Sequence, residues 1–168
     1  MVILDYLEEI QPTPGCDAAQ RARMRLFATL FPSRLSSFGI LKADVGSEEE
    51  QAAVATLRKT LKAMNDFLVS SSDERGPFLF GEEFSYAESA AAPFAQRLSI
   101  VLPGLRPHLD PMKWMEEDGC ERLAAWMEAV CSRPSCVDTL PPADEICDSY
   151  GKLVERMKAM SAGGAPKS

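Results

Sequence analysis

Ser85 and Glu88 are the two polar residues whose spacing in the sequence is most informative. A serine three residues ahead of a glutamate, at the start of an apolar and alanine-rich run, is typical of a capping box. The Ser85 hydroxyl would accept a hydrogen bond from the backbone N–H of residue 88, and the Glu88 carboxylate would accept one from the N–H of Ser85. A catalytic role is the alternative, but a helix start explains the spacing better. We therefore predict a structural capping box at this pair.

Elsewhere in the sequence, the cysteines, serines and the histidine do not have the spacing that nucleophilic catalysis or metal binding requires. The five cysteines are scattered, no C-x-x-C pair occurs, and the lone His108 is far from each of them. Zinc sites require such groups at characteristic spacings, and a nucleophilic cysteine or serine requires a framed histidine partner. The sequence therefore predicts no metal site and no nucleophile paired with His108.

Composition and charge exclude several classes of function. The 168-residue chain suits one domain, and 46% of its residues are hydrophobic, which favours a buried core over disorder. Its net charge of −7 and the absence of a Lys/Arg stripe argue against nucleic-acid binding. No apolar run is long enough for a membrane span, and the N-terminus lacks the pattern of a signal peptide. Scattered thiols that stay reduced fit a cytoplasmic protein.

Hydrophobic periodicity predicts an all-α chain. Pro32 lies inside the longest helical pattern, where it removes one backbone donor, so we expect a kink at residues 28–32. Pro103 to Pro111 is expected to form an irregular loop. The predicted helices lie at about residues 2–10, 18–42, 47–70, 85–101, 119–131 and 144–160.

Four segments of the chain, in order, resemble parts of cytosolic glutathione transferases. Val2–Glu9 is similar to the "I-x-x-Y-L" helix that ends the thioredoxin-like domain of that family, and Gln20–Arg25 is similar to the opening of the first long helix of its helical domain. The turn and capping box in Gly76–Phe94 resemble the start of the buried central helix. Leu123–Met127, followed by Ser132–Ser135, resembles the tryptophan-containing helix and the Arg-Pro turn near the family's end.

The resemblance implies an organisation in which the catalytic half of the enzyme is missing. Residues 1–12 would be the last helix of an otherwise absent thioredoxin-like domain, 16–160 a helical bundle of about five to six helices, and 161–168 a disordered tail. In the family, the thioredoxin-like domain supplies the catalytic Ser, Tyr or Cys and most of the glutathione site. The resemblance therefore implies no catalytic residue in this chain, with glutathione as a co-substrate that requires the missing domain.

The resemblance also implies where a hydrophobic substrate would bind. In the family, the first long helix of the helical domain lines the cleft for the electrophile, so Phe27, Leu30, Phe31 and Arg34 are candidate lining residues. An apolar floor with one cationic residue at its rim would suit an aromatic electrophile or a carboxylate of glutathione. Trp114, in the expected loop, is a further candidate that could cover a ligand. Ordinary packing between helices is the alternative for all five.

Three functions remain open on these observations. The first is the helical part of a glutathione transferase of detoxification, which completes the electrophile site and contributes to a homodimer. The second is a non-catalytic interaction module, of the type attached to translation factors and aminoacyl-tRNA synthetases. The third is a stand-alone remnant that binds a hydrophobic small molecule. Exposed apolar surface would favour a homodimer or another protein partner in each case.

Overall fold

The computed structural model describes residues 2–71 and 76–163, and the regular elements in these ranges are α-helices. The all-α prediction is confirmed. The long helices were predicted, whereas the short helices at residues 111–117 and 134–137 were not. The helices are α1 (Val2–Ile10), α2 (Ala18–Arg34), α3 (Phe38–Lys42), α4 (Glu48–Ser71), α5 (Tyr86–Leu105), α6 (Pro111–Glu117), α7 (Glu121–Ser132), α8 (Pro134–Val137) and α9 (Ala143–Gly163).

Helix α5 is the central element of the bundle and contacts α2, α7 and α9. Its alanines at 87, 91 and 95 have no exposed surface, and Leu98 and Val101 continue the buried face. Small side chains let neighbouring helices approach closely, which explains why a helix this rich in alanine lies in the centre. Helices α2, α7 and α9 therefore surround a helix that is buried over most of its length.

Helix α2 ends earlier than the sequence predicted. It continues through Pro32 but stops at Arg34, and a separate short helix begins at Phe38. Proline cannot donate the hydrogen bond that would hold the turn before it, and the chain leaves helical geometry at Leu35, with φ −91° and ψ 57°. The prediction of one helix over 18–42 with a kink was therefore wrong, because the chain leaves helical geometry at Leu35 and a new helix begins at Phe38.

Helices α5 and α9 extend further than the sequence predicted. Helix α5 passes through Pro103 to Leu105, because its last turn packs against α9, where a Cβ at Gly104 would collide with the sulfur of Cys147. The packing between α5 and α9 therefore offsets the backbone hydrogen bond that Pro103 cannot donate. Helix α9 continues to Gly163, and residues 164–168, on which most of the predicted tail falls, lie outside the described residues.

Glu50 joins three helices at one end of the bundle. Its carboxylate, buried at 3% residue exposure, accepts hydrogen bonds from Gly46 N at 2.7 Å and from Arg106 Nε at 3.1 Å. The Arg106 guanidinium also donates to the carbonyls of Leu41 and Ala43, at 3.2 and 3.1 Å. The pair therefore ties the end of α3 and the start of α4 to the residue after α5.

The Glu50 carboxylate gives the fold a specific dependence on pH. The hydrogen bond from Gly46 N holds the pKa of Glu50 below its ordinary value of 4.5, against the opposing effect of burial. Because the folded pKa is lower than the unfolded one, the stabilisation is present above pH 4.5 and is lost as the pH falls through the folded value. We expect the difference in the free energy of unfolding between wild type and Glu50→Gln to shrink as the pH falls below 4.5. Urea unfolding over a pH series measures it, and Glu49→Gln, an exposed neighbour, should show no such trend.

Helix α1 packs on the bundle with one face and exposes the other. The Tyr86 hydroxyl donates to Asp5 at 2.8 Å, and burial, reinforced by this carboxylate, raises the pKa of Tyr86 to about 12. On the opposite side, Ile3, Tyr6 and Ile10 are exposed by 76%, 62% and 60%. Three large apolar side chains on one short helix form an unusually apolar surface.

Candidate functional site

The Glu88 carboxylate is the centre of a buried polar cluster at the start of α5. It has no exposed surface, and each of its oxygens accepts two hydrogen bonds. Oε1 accepts from Leu79 N at 2.9 Å and from Trp126 Nε1 at 3.0 Å. Oε2 accepts from the backbone N–H of Ser85 at 3.0 Å and from its hydroxyl at 2.6 Å. The structure thus contains the capping box, and it adds partners from the preceding turn and from α7.

The turn before α5 is fixed by a second set of contacts. The Arg122 guanidinium donates to the carbonyls of Pro77 and Phe78, the former at 2.8 Å, and burial lowers the pKa of Arg122, opposed by the charge of Glu88. Gly76 passes so close to the backbone of Gly81 that a Cβ at residue 76 would collide with it. A glycine at position 76 is therefore required by the geometry of this turn.

This cluster is structural and offers no access to a substrate. A general base or acid must reach the proton that it transfers. The Glu88 carboxylate is fully buried and its acceptor positions face donors of the protein itself. Trp126 was predicted to be a core residue, but its hydrogen bond to Glu88 was missed, because a contact between residues 38 positions apart has no local sequence signal.

Replacing Ser85 by alanine removes the cap at this helix start. The Ser85 hydroxyl accepts from Ala87 N at 3.1 Å and donates to Glu88, so both contacts disappear together. We expect the free energy of unfolding to fall by about 1–2 kcal/mol. Ser89→Ala is the matched control, because its hydroxyl only donates back to the Ser85 carbonyl within the helix. An unchanged melting temperature for Ser85→Ala would refute the cap.

Two of the predicted ligand-site residues lie in the hydrophobic core. Phe27 and Phe31 are both fully buried, and they pack against Trp126 with ring centroids 5.2 and 4.9 Å away. Phe67 joins the same cluster, 5.7 Å from Phe27. A side chain without exposed surface cannot line an open cleft, so in this structure Phe27 and Phe31 are packing residues.

The remaining three predicted residues lie in different places. Leu30 is half-buried on α2 and packs against the core, and Arg34 is exposed at the end of the same helix. Trp114 is 7% exposed on α6, where the predicted loop was wrong because Asp110 caps a helix there, accepting from Met112 N at 2.9 Å. The five residues thus do not form one site, and a ligand role for Leu30 or Arg34 stays a prediction.

A cleft does open beside α2, one turn beyond the predicted residues. Two adjoining cavities of about 400 and 90 Å³ share Arg97 and Tyr150. We call them together the α2–α5–α9 cleft, because these helices and the neighbouring segments form its walls. The side chains that give it its character are Leu35, Phe38, Arg97, Leu140, Ile146 and Tyr150.

The cleft combines aromatic and aliphatic walls with one cation. The rings of Phe38 and Tyr150 stack at 5.5 Å with an angle of 9° between their planes. The Arg97 guanidinium lies 5.2 Å from the centre of the Phe94 ring and is exposed. Because the carboxylate of Glu145 lines the cleft together with Arg97, the cleft is suited to an aromatic molecule mainly through its apolar walls.

The residues that line this cleft differ from the predicted residues Phe27, Leu30, Phe31 and Arg34. The cleft begins at Pro32 and continues to Phe38, which is where α2 breaks. The break in the helix at residues 35–37 places Leu35 and Phe38 in the wall of this cleft. The signal that could have found it is the sequence Pro-Ser-Arg-Leu-Ser-Ser from residue 32, which is poor in helix-forming residues.

Two further features, a metal site and a membrane-spanning helix, are absent from the residues that the structure describes. Within residues 2–71 and 76–163, no group of three or more His, Cys, Asp or Glu side chains is arranged to hold a metal ion. In the same part of the chain, none of the helices has the length and apolar character needed to span a bilayer.

Comparisons with known proteins agree on one family. Residues 47–129 match the family model of the glutathione S-transferase C-terminal domain. No curated protein sequence matches the chain at a significant level. Among solved structures, a trimeric glutathione transferase of Leishmania is 25% identical, with a TM-score of 0.71 over 91% of this chain and 33% of that one.

Two further structures have the same helical fold. An Omega glutathione transferase of Trametes versicolor is 22% identical, with a TM-score of 0.69 over 95% of this chain and 65% of that one. A rice glutathione transferase, solved in complex with glutathione, is 24% identical, with a TM-score of 0.66 over 92% of this chain and 68% of that one. The chain thus spans between one third and about two thirds of the length of these proteins. Residues 47–129 thus match the glutathione S-transferase C-terminal domain family, and the helical bundle has the fold of that domain.

Proposed function

We propose that this chain is the helical half of a glutathione transferase and that the α2–α5–α9 cleft receives the hydrophobic electrophile. The match of residues 47–129 to the family's C-terminal domain is the observation that carries the proposal. The cleft supports it with its apolar walls and with Arg97 at the rim. The glutathione thiolate would be activated elsewhere, in a thioredoxin-like domain that packs against α1.

The chemistry explains why the helical half alone should be inactive. A thiol is activated by donors or positive charge aimed at its sulfur, which lower its pKa. In the cleft, the exposed Arg97 is the cation, and it already lies over the Phe94 ring. We therefore expect the chain by itself to show no conjugation of glutathione to 1-chloro-2,4-dinitrobenzene above the uncatalysed rate. The proposal would be contradicted if the chain by itself catalysed this conjugation and a substitution in the chain abolished the activity.

Binding of an unreactive aromatic tests the cleft directly. We expect 1,3-dinitrobenzene to cause saturable shifts of the backbone amide signals of Arg97, Leu140 and Tyr150 in NMR titrations. Ser149→Trp should weaken this binding by at least about tenfold, because residue 149 lines the cleft and a tryptophan would fill it.

Asp148→Trp is the matched control for this experiment. The residue precedes Ser149 on α9, is exposed and does not line the cleft, so its substitution should leave the affinity unchanged. Equal affinities for wild type and Ser149→Trp would place the aromatic elsewhere and refute the electrophile site in the cleft.

The exposed face of α1 favours a second function, that of an interaction module. Ile3, Tyr6 and Ile10 would be covered by a thioredoxin-like domain in the first proposal, but a homodimer or another protein could cover them equally. Light scattering distinguishes these cases. An oligomer that Tyr6→Glu dissociates would support self-association through α1, and a wild-type monomer would exclude it.

A further inference from the structure

Two cysteines, Cys131 and Cys136, lie on either side of the turn that joins α7 to α8. Cys131 is in the last turn of α7 and Cys136 is in α8, and only Arg133 separates the two helices. The turn is tight, because Cys136 N donates to the Arg133 carbonyl at 2.8 Å and Arg133 N donates to the Val130 carbonyl at 3.4 Å. Both cysteines are free thiols and half-buried. The two thiols therefore flank one short and well-defined turn.

Both cysteines also contact the same face of α5. The Cys131 thiol is hydrogen-bonded with Ser99, and the carbonyl of Cys136 accepts from Gln96 Nε2 at 2.9 Å. Gln96 and Ser99 are three residues apart on α5, so their side chains are neighbours on one face of that helix. Contacts with neighbouring positions of one helix place the two cysteines side by side.

The two thiols interact electrostatically as well. Burial, together with the charge of the neighbouring Cys136, raises the pKa of Cys131 to about 11. Burial and nearby carboxylates, with no thiol among the causes, raise the pKa values of Cys120 and Cys147. Because the interaction between two charges weakens with distance, this difference agrees with the closeness of Cys131 and Cys136 that their contacts with α5 indicate.

We propose that Cys131 and Cys136 form a reversible intrachain disulfide on exposure to a small-molecule disulfide such as oxidised glutathione. The thiolate of one cysteine attacks a sulfur of the small disulfide, whose S–S bond breaks and releases one thiol. The other cysteine gives up its proton and attacks the mixed disulfide, which closes the intrachain bond and releases the second thiol. Two cysteine thiols are thereby oxidised, and one small disulfide is reduced to two thiols. The modification is independent of the transferase function.

The disulfide changes the wall of the α2–α5–α9 cleft. Gln96, which donates to the Cys136 carbonyl, lines this cleft, and so does Thr139, whose hydroxyl donates to the Ser135 carbonyl in α8 at 2.8 Å. Closing the bond moves α8 relative to the end of α7. We therefore expect the backbone amide signals of Gln96 and Thr139 to shift on oxidation and to return with dithiothreitol. Unchanged signals in the oxidised protein would contradict this effect on the cleft.

Mass spectrometry tests the bond itself. The full reduced chain is incubated with an excess of oxidised glutathione, its remaining thiols are blocked with iodoacetamide, and it is cleaved after glutamate. Cleavage after Glu128 and Glu145 gives a peptide of residues 129–145 that contains Cys131 and Cys136 and no other cysteine. We expect this peptide to lose the mass of two hydrogens and to regain it with dithiothreitol.

Serine variants identify the two partners. Cys131→Ser and Cys136→Ser each leave one thiol in the 129–145 peptide, so each should abolish the loss of two hydrogens. Cys147→Ser is the matched control and should form the bond as the wild type does. The proposal is overturned if both thiols of the wild-type peptide still react with iodoacetamide, or if one of them keeps glutathione without closing the bond. It is also overturned if Cys147→Ser abolishes the bond.

Discussion

Replacing Glu88 by alanine is expected to lower the free energy of unfolding by about 3–5 kcal/mol, because buried donors lose their partner. Leu79 N, Trp126 Nε1 and Ser85 N all donate to this carboxylate, which has no exposed surface. The truncation also leaves space between α5, α7 and the preceding turn. Urea unfolding with circular dichroism measures the loss.

Two controls separate the hydrogen bonds from the effect of removing any glutamate. Glu82→Ala removes an exposed carboxylate from the same turn and should change stability by less than about 0.5 kcal/mol. Glu88→Gln keeps the volume and one acceptor oxygen but places an NH₂ group against donors, so it should fall between wild type and Glu88→Ala. A loss below about 1 kcal/mol for Glu88→Ala would contradict the structure of the cluster.

Phe31→Ala is expected to cost about 3–5 kcal/mol of stability, because the ring is fully buried and its removal leaves a cavity. The ring packs 5.4 Å from Phe27 and 4.9 Å from Trp126, so the neighbours lose contacts as well. Thermal and urea unfolding measure the loss. Leu26→Ala, on the same helix but 48% exposed, should cost far less.

Phe31 also decides between a core role and a ligand role at α2. Phe31→Leu keeps the protein folded with a smaller loss of stability, so its ligand binding can be measured. We expect its affinity for 1,3-dinitrobenzene to equal that of wild type, because the ring does not line the cleft. A clear loss of affinity in this folded variant would show that Phe31 contacts the ligand, as its place in the sequence suggested.

Local signals in the sequence predicted the helix starts well. Asp17 caps α2 through a capping box with Gln20, at 2.7 and 2.8 Å, and Ser85 does the same for α5. These signals involve residues three positions apart, so they can be recognised in any sequence. The helix ends at residues 34 and 105 were missed, because whether a proline ends a helix depends on what packs against it.

The candidate sites depended on contacts that no local pattern reveals. The α2–α5–α9 cleft needs residues from positions 32 to 150 to meet. Glu50 is likewise buried in a way that its place near the start of α4 does not indicate. Its buried pairing with Arg106 and its contact with His108 join residues more than 50 positions apart.

Isothermal titration of the purified chain with reduced glutathione tests most directly whether the thiol site lies outside this helical half. We expect no saturable heat at millimolar glutathione, while 1,3-dinitrobenzene still binds the cleft. That pair of results would assign the electrophile to this domain and the thiol to a thioredoxin-like domain. Saturable binding of one glutathione per chain would contradict the division, because the helical bundle would then hold a glutathione site of its own.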